Sequence, residues 1–291
     1  MRIFITGGTG FIGLPTVKLL ARRGHKLFLL SRHPEKFGLA GVRGKNIQFA
    51  KGDLSNMKAW NRKLKMFKPE AALHMAWEGF PDYGPENSIK NLLRDFQLFE
   101  LLAKIGCKRI VVSGTCAEYG AAHGKLNEDA PLQPLNSFSA AKNASHWIGR
   151  ELARACGMEF VWTRIFYCYG PGQRRTSLIP HLLLSRRSGT TPKVKNLSGG
   201  NDFIYVDDVA RALTMILEKR KLKSDLYNIG SGVVTAVRDV FDFVYGGKPF
   251  RRAHRGVGFC ADISRIKREV GWKPKVGLRD GILRASKFSV S

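Results

Sequence analysis

Apolar residues follow two alternating rhythms along the first half of the chain. Short apolar runs at residues 2–6, 26–30, 47–51, 71–75, 109–113 and 158–165 are bounded by glycine, proline or polar residues. That is the pattern of strands buried on both faces. Between some of them, residues 11–23, 88–105 and 139–156 carry apolar positions at helical spacing. In 88–105 the stripe is Ile89, Leu92, Leu93, Phe96, Phe99 and Leu102. Strand and helix alternating in this way predict an α/β fold with a parallel sheet. After Pro171 glycine, proline and basic residues become frequent, and the periodic segments shorten.

The first strand runs straight into Gly7-Gly-Thr-Gly10-Phe-Ile-Gly13, and a helix pattern follows at once. One glycine of such a loop makes the turn, one lets the backbone approach a pyrophosphate, and one lets the helix pack close to the strand. The anion then meets unpaired N–H groups at the helix start. Gly7, Gly10, Phe11, Ile12 and Gly13 are therefore expected to hold a dinucleotide, and the sheet to be a doubly wound Rossmann sheet. The expected division is a dinucleotide-binding domain over 1–170 and a smaller α/β substrate-binding region over 171–291. The second region is expected to return to the sheet near 203–230, where Tyr227-Asn-Ile-Gly230 reads as a short buried strand.

The residue after the second strand separates the two nicotinamide cofactors. A carboxylate there binds the ribose 2′-OH, and an arginine accommodates a 2′-phosphate. Here stand Ser31 and Arg32, with His33 and Lys36 beyond and no carboxylate at the strand end. Hydroxyl plus guanidinium suits a phosphate, so NADP is expected, with NAD as second choice. Asp53, after the third strand, is placed to meet the adenine.

Composition narrows the setting. The chain carries 49 Lys+Arg against 23 Asp+Glu, a formal charge of +26, which favours anionic partners. The basic residues are scattered in pairs with no stripe interleaved with aromatics, so a nucleic-acid partner is not the expected one. The cysteines (Cys107, Cys116, Cys156, Cys168, Cys260) are odd in number and lack metal spacing. No apolar run approaches the ~18 residues of a membrane span, and the chain begins in a strand without a signal-peptide layout. A cytoplasmic protein without metal is expected.

Several ordered motifs carry a family likeness. They are the Gly7–Gly13 loop, Gly52-Asp-Leu54, His74-Met-Ala76, Asn91, Ser113-Gly-Thr-Cys-Ala-Glu-Tyr-Gly120, Tyr169-Gly-Pro-Gly172, Asp202-Phe-Ile-Tyr-Val-Asp-Asp-Val-Ala210, Tyr227-Asn-Ile-Gly-Ser-Gly232 and Gly271-Trp-Lys-Pro274. The chain resembles the extended short-chain dehydrogenase/reductases, the NAD(P)-dependent epimerase/dehydratase family that works on nucleotide sugars. The resemblance implies hydride transfer at a sugar carbon with acid–base help. In that chemistry a tyrosine exchanges the proton, a lysine four residues later tunes it and holds the nicotinamide ribose, and a Ser or Thr holds the substrate oxygen. It assigns the hydroxyl to Thr115 and the lysine to Lys142. It adds cofactor contacts at Leu54, Met75, Ala76, Ser113 and Ile165. It implies substrate contacts at Trp77, Cys116, Tyr167, Arg174 and Arg255, and a homodimer packed through the helices of Asn91 and Lys142, with Leu93, Phe96, Phe99 and residues 139–144 at the contact.

The tyrosine position holds Phe138, which lines the substrate site without a proton to exchange. Three readings stay open. Another group does the work, Tyr167 being the named candidate and Cys116, Cys168, Tyr169 and Ser139 its neighbours. Alternatively, Thr115, Lys142 and water suffice. Or the site binds cofactor as a sensor or partner subunit without turnover. Further departures bear on the reaction. Cys116 and Ala117 replace the acidic pair of the dehydratase branch, and Glu118, displaced by one on a strand, is expected on the opposite face. Asn201 replaces an arginine that meets the substrate pyrophosphate, leaving Arg174, Arg175, Arg252 and Arg255 to supply that charge. A nucleotide-sugar reductase or epimerase is the expected function.

Overall fold

In the computed structural model, which describes residues 1–194, 196–247, 250 and 258–288, the strands in chain order are β1 (Arg2–Thr6), β2 (Lys26–Ser31), β3 (Ile47–Lys51), β4 (Ala71–His74), β5 (Arg109–Thr115), β6 (Gly124–Leu126), β7 (Glu159–Ile165), β8 (Tyr167–Tyr169), β9 (Gly200–Asn201), β10 (Phe203–Tyr205), β11 (Leu226–Ile229), β12 (Thr235–Ala236) and β13 (Phe259–Ala261). The helices are α1 (Gly13–Arg22), α2 (Glu35–Leu39), α3 (Lys58–Phe67), α4 (Pro85–Lys104), α5 (Ser137–Ala155), α6 (Leu178–Arg187), α7 (Val206–Glu218), α8 (Val237–Gly246), α9 (Ser264–Val270) and α10 (Leu278–Phe288).

Seven strands form one parallel sheet in the order β11-β7-β5-β4-β1-β2-β3. The chain runs outward from β1 to β3, then restarts at β4 on the other side of β1. In such a sheet the crevice beyond the carboxyl ends of β1 and β4 is where ligands bind. Successive side chains of a strand point to opposite faces. Ile3 and Ile5 accordingly join Val17, Leu20, Val209 and Leu213 on one face. Phe4 joins Trp60, Leu98, Phe99 and Leu102 on the other.

The six strands and three long helices expected from the apolar rhythm are present, with ends shifted by a few residues. The long helix starts at Pro85 because Gly84 precedes it in an extended conformation and proline suits the first helical turn. Helix α5 starts at Ser137 because Asn136 caps it: its Oδ1 accepts from Ser139 N at 2.9 Å, and Ser139 Oγ accepts from Asn136 N at 3.3 Å. Helix α3 has no counterpart in the expected elements. Its buried residues are only Trp60, Leu64 and Phe67, among four lysines and arginines.

Beyond residue 170 the chain returns to the sheet through β11, beside β7, and through α7, which packs on α1. A second sheet, β12-β9-β13-β6, draws β6 from the first half of the chain. Among the described residues no helix is long and apolar enough to cross a membrane, and no His/Cys/Asp/Glu group is arranged to hold a metal. The five cysteines are free.

Candidate active site

The glycine loop between β1 and α1 is built as its sequence requires. Gly7 has φ +71°, and a Cβ on it would lie 2.6 Å from the carbonyl carbon of Met75. A Cβ on Gly13 would lie 2.1 Å from the Gly7 oxygen. These two glycines serve the loop's own packing. Gly10 is exposed, and its Cβ would meet only the Gly7 oxygen, at 3.1 Å. Gly10 N donates to Gly7 O and Leu14 N to Gly10 O, so the N–H groups of Phe11, Ile12 and Gly13, at the entry to α1, are the ones left to meet an anion, which fits a dinucleotide pyrophosphate. Met75 and Ala76 close the other side of the crevice.

A buried polar chain fixes that crevice. Ala76 N donates to Thr6 Oγ1 at 3.3 Å, and Thr6 Oγ1 lies 2.7 Å from His74 Nδ1. His74 Nε2 lies 2.8 Å from Asp95, to which Ser145 Oγ also donates, at 2.7 Å. The carboxylate can only accept, so it selects the imidazole tautomer with hydrogen on Nε2. The chain joins β1, β4, α4 and α5. Sequence reasoning named His74 only as part of a motif and missed its partners, because their spacing along the chain carries no signal.

At the carboxyl end of β5 the structure gathers Ser113, Thr115, Phe138 and Lys142. The Lys142 ammonium donates to the Ser113 carbonyl at 2.9 Å and lies 4.2 Å from the centre of the Trp77 ring. Burial pulls its pKa below the ordinary lysine value, against the pull of Asp95 and Glu118. Thr115 Oγ1 accepts from Ala117 N at 3.2 Å, leaving its own hydrogen to donate. Phe138 is buried against Trp77, Phe80 and Tyr83, with ring centres 5.3, 5.7 and 5.2 Å away. Phe80 and Tyr83 lie in the loop before α4. Tyr83 was not among the expected site residues; its contact with Phe138 is tertiary.

Other expected residues divide. Ser31 is buried and accepts from His33 N at 3.0 Å. Asp53 is turned to its own loop, accepting from Ser55 N at 2.8 Å and Oγ at 2.6 Å, and these bonds hold its carboxyl below the usual range. Leu54 and Ile165 are buried at the ends of β3 and β7. Burial pushes the Cys116, Cys168 and Tyr167 groups up, leaving each a protonated group at neutral pH. Arg174 stacks 4.4 Å from the Phe80 ring centre, at the rim of the aromatic cluster. Arg252 and Arg255 lie outside the described residues.

Two expectations are corrected. Glu118 does not sit on a strand. The chain leaves β5 at Cys116 into a 3₁₀ turn, Cys116–Tyr119, and folds Glu118 beneath the site, fully buried. There its carboxylate accepts from Thr115 N at 2.9 Å, Trp162 Nε1 at 3.0 Å and Arg164 Nε at 2.8 Å. The strand end at Arg32 is not free of carboxylates in space, since Arg32 Nη1 lies 3.1 Å from Glu78 Oε1.

A polar cleft of about 550 Å³ lined by Glu159, Lys223, Asp225, Arg265 and Glu269 lies elsewhere, by the amino ends of β7 and β11. It lies at the amino ends of the strands, whereas the glycine loop lies at the carboxyl end of β1.

A profile of the NAD dependent epimerase/dehydratase family matches residues 3–230. The chain is 29% identical over 324 residues to a UDP-glucose 4-epimerase of Bacillus subtilis (strain 168), with 96% of this chain and 94% of that protein covered. It is 25% identical over 305 residues to a dTDP-4-dehydro-6-deoxyglucose reductase of Escherichia coli, covering 96% and 95%. Among solved structures it is similar to MoeE5 in complex with UDP-glucose and NAD, at a TM-score of 0.83 and 25% identity, covering 99% of this chain and 98% of that one.

Proposed function

The chain belongs to the NAD dependent epimerase/dehydratase family, and from that membership we propose that it is an NADP-dependent reductase or epimerase of a nucleotide-linked sugar. The observation that carries the reading is the position of Lys142 and Thr115 at the mouth of the same crevice that the glycine loop opens. Ser31 and Arg32 support NADP over NAD. When bound, the nicotinamide supplies or accepts a hydride at a sugar carbon. The chain's own groups do the rest. Thr115 donates its hydroxyl hydrogen to the sugar oxygen, Lys142 offsets negative charge developing there, and Trp77 and Phe138 exclude water.

The proton comes from a phenol other than the one missing at position 138. Of the two nearby, Tyr83 is better suited than Tyr167. Tyr83 touches Phe138 directly, whereas Tyr167, equally exposed, packs on Phe203 and Phe259 instead. The division into a cofactor region over 1–170 and a substrate region over 171–291 belongs to this reading, as does a substrate pyrophosphate near Arg174. A homodimer belongs to it too. Its contact face is redrawn around Ile89, Leu93, Trp147 and Ile148, which are exposed on α4 and α5, because Phe99 is fully buried under its own sheet. Five free thiols suit a reducing cytoplasm.

Incubation of the purified protein with NADPH and a panel of 4-keto and 4-hydroxy nucleotide sugars tests the reading; turnover of none of them contradicts it. A cofactor-binding protein without turnover is the second reading, favoured by the burial of Phe138 in an aromatic cluster, and the same assay separates the two.

A further inference from the structure

Arg32 and Glu78 meet across the top of the cofactor crevice. Arg32 follows β2 and Glu78 follows β4, and both strands pair with β1, so their contact crosses the end that carries the glycine loop. A second guanidinium reaches the same carboxylate: Arg94 of α4 binds Glu78 Oε2 while Arg32 binds Oε1. One carboxylate is thus held between two arginines, one on each oxygen. All three side chains are reachable from solvent, at 58% exposure for Arg32, 40% for Glu78 and 22% for Arg94.

The Glu78 backbone is pinned independently of its side chain. Its N–H donates to Asn91 Oδ1 at 2.7 Å, and its carbonyl accepts from Asn91 at 3.0 Å and Asn87 at 2.9 Å. The side chain is therefore free to swing without unfolding the loop. The nearby acid Asp53, which feels the charge of Arg94, is engaged by Ser55.

Resting on the dinucleotide reading of this crevice, we propose that Arg94 is a second arm of the 2′-phosphate site and that Glu78 is an internal stand-in competing with that phosphate for Arg32 and Arg94. A phosphate monoester carries up to two charges and three acceptor oxygens, so it replaces a single carboxylate on two guanidinium groups with net gain. A dinucleotide with a free ribose 2′-OH brings no anion to this position and leaves the Glu78 contacts in place. Cofactor preference is then set by three residues from three elements.

Dissociation constants of NADPH and NADH, measured by calorimetry on the whole protein and on two variants, test this. Arg94→Gln is expected to weaken NADPH by about tenfold, the loss of one charge-assisted hydrogen bond, and to leave NADH unchanged. Glu78→Gln is expected to tighten NADPH several-fold, again with NADH unchanged. Thermal unfolding of each variant verifies that it is folded. Retained NADPH binding that neither substitution alters, or equal changes for both cofactors, overturns the proposal and leaves the dinucleotide reading standing. Binding of neither cofactor by the unsubstituted protein overturns the dinucleotide reading and the proposal with it.

Discussion

Phe138 and Lys142 stand one turn apart on α5, and only Lys142 carries a proton. Its ammonium is tied to the Ser113 carbonyl at 2.9 Å, while the Phe138 ring packs 5.2 Å from the centre of the Tyr83 ring. The spacing that would put a proton donor beside its tuning cation is kept on the helix, but position 138 carries no proton to give. Lys142→Met is expected to lower kcat by about 10²-fold or more, the scale of a lost acid–base partner. Lys142→Arg is expected to recover only part of it. Steady-state kinetics with the substrate found in the panel assay check this.

The two phenols are separable. Tyr83→Phe is expected to lower kcat by at least tenfold, on the order of one lost proton-transfer group, with little change in KM. Tyr167→Phe is expected to change KM more than kcat. Phe138→Tyr in the Tyr83→Phe background is expected to restore turnover, because it returns a phenol one turn from Lys142. Equal activity of Tyr83→Phe and the unsubstituted protein removes Tyr83 from the mechanism.

Beneath the site, Glu118 and Arg164 form a pair that is buried at both ends. Removing one partner leaves an uncompensated charge without water. Arg164→Met is expected to destabilise the fold by about 3–5 kcal/mol on that ground, read as a lower midpoint in urea at unchanged slope. The double variant Glu118→Gln/Arg164→Met is expected to recover part of the loss. A midpoint within error of the unsubstituted protein contradicts the account of this pair.

His146 gives a pH signature. It is buried on α5, stacked 5.2 Å from the centre of the Trp162 ring, with neither ring nitrogen hydrogen-bonded. Burial, and then the charges of Arg164 and Arg150, lower its pKa from 6.5 to about 3. Below 6.5 the unfolded chain binds a proton that the native ring refuses until about 3, so stability falls as pH falls through that window. The loss from this residue is about 2 kcal/mol by pH 5, at 1.36 kcal/mol per pKa unit. His146→Leu is expected to flatten the fall in Tm between pH 6.5 and pH 5; an unchanged slope contradicts it.

The parts of the fold that depend on local rhythm were legible in the chain. Buried strands of a parallel sheet are continuous apolar runs, and Gly7 and Gly13 are demanded by backbone approaches too close for a Cβ. Phe138 and Lys142 were legible only through the family resemblance, which implies their spacing on one helix. What was not legible is tertiary. Tyr83 reaches Phe138 from a loop far earlier in the chain, and Glu78 reaches Arg32 across an intervening strand. Glu118 was misplaced because strand alternation was extended past Cys116, where the Thr115 cap turns the chain into a 3₁₀ turn.

The central claim is that this crevice transfers hydride although position 138 has no proton to give. The most direct measurement is the reduced-nicotinamide absorbance of the cofactor-loaded protein, followed as nucleotide sugars are added one at a time. The account predicts that one of them changes this absorbance in the unsubstituted protein and fails to do so in Lys142→Met. Tight cofactor binding with no change on any sugar, in protein that is folded and dinucleotide-saturated, would contradict it.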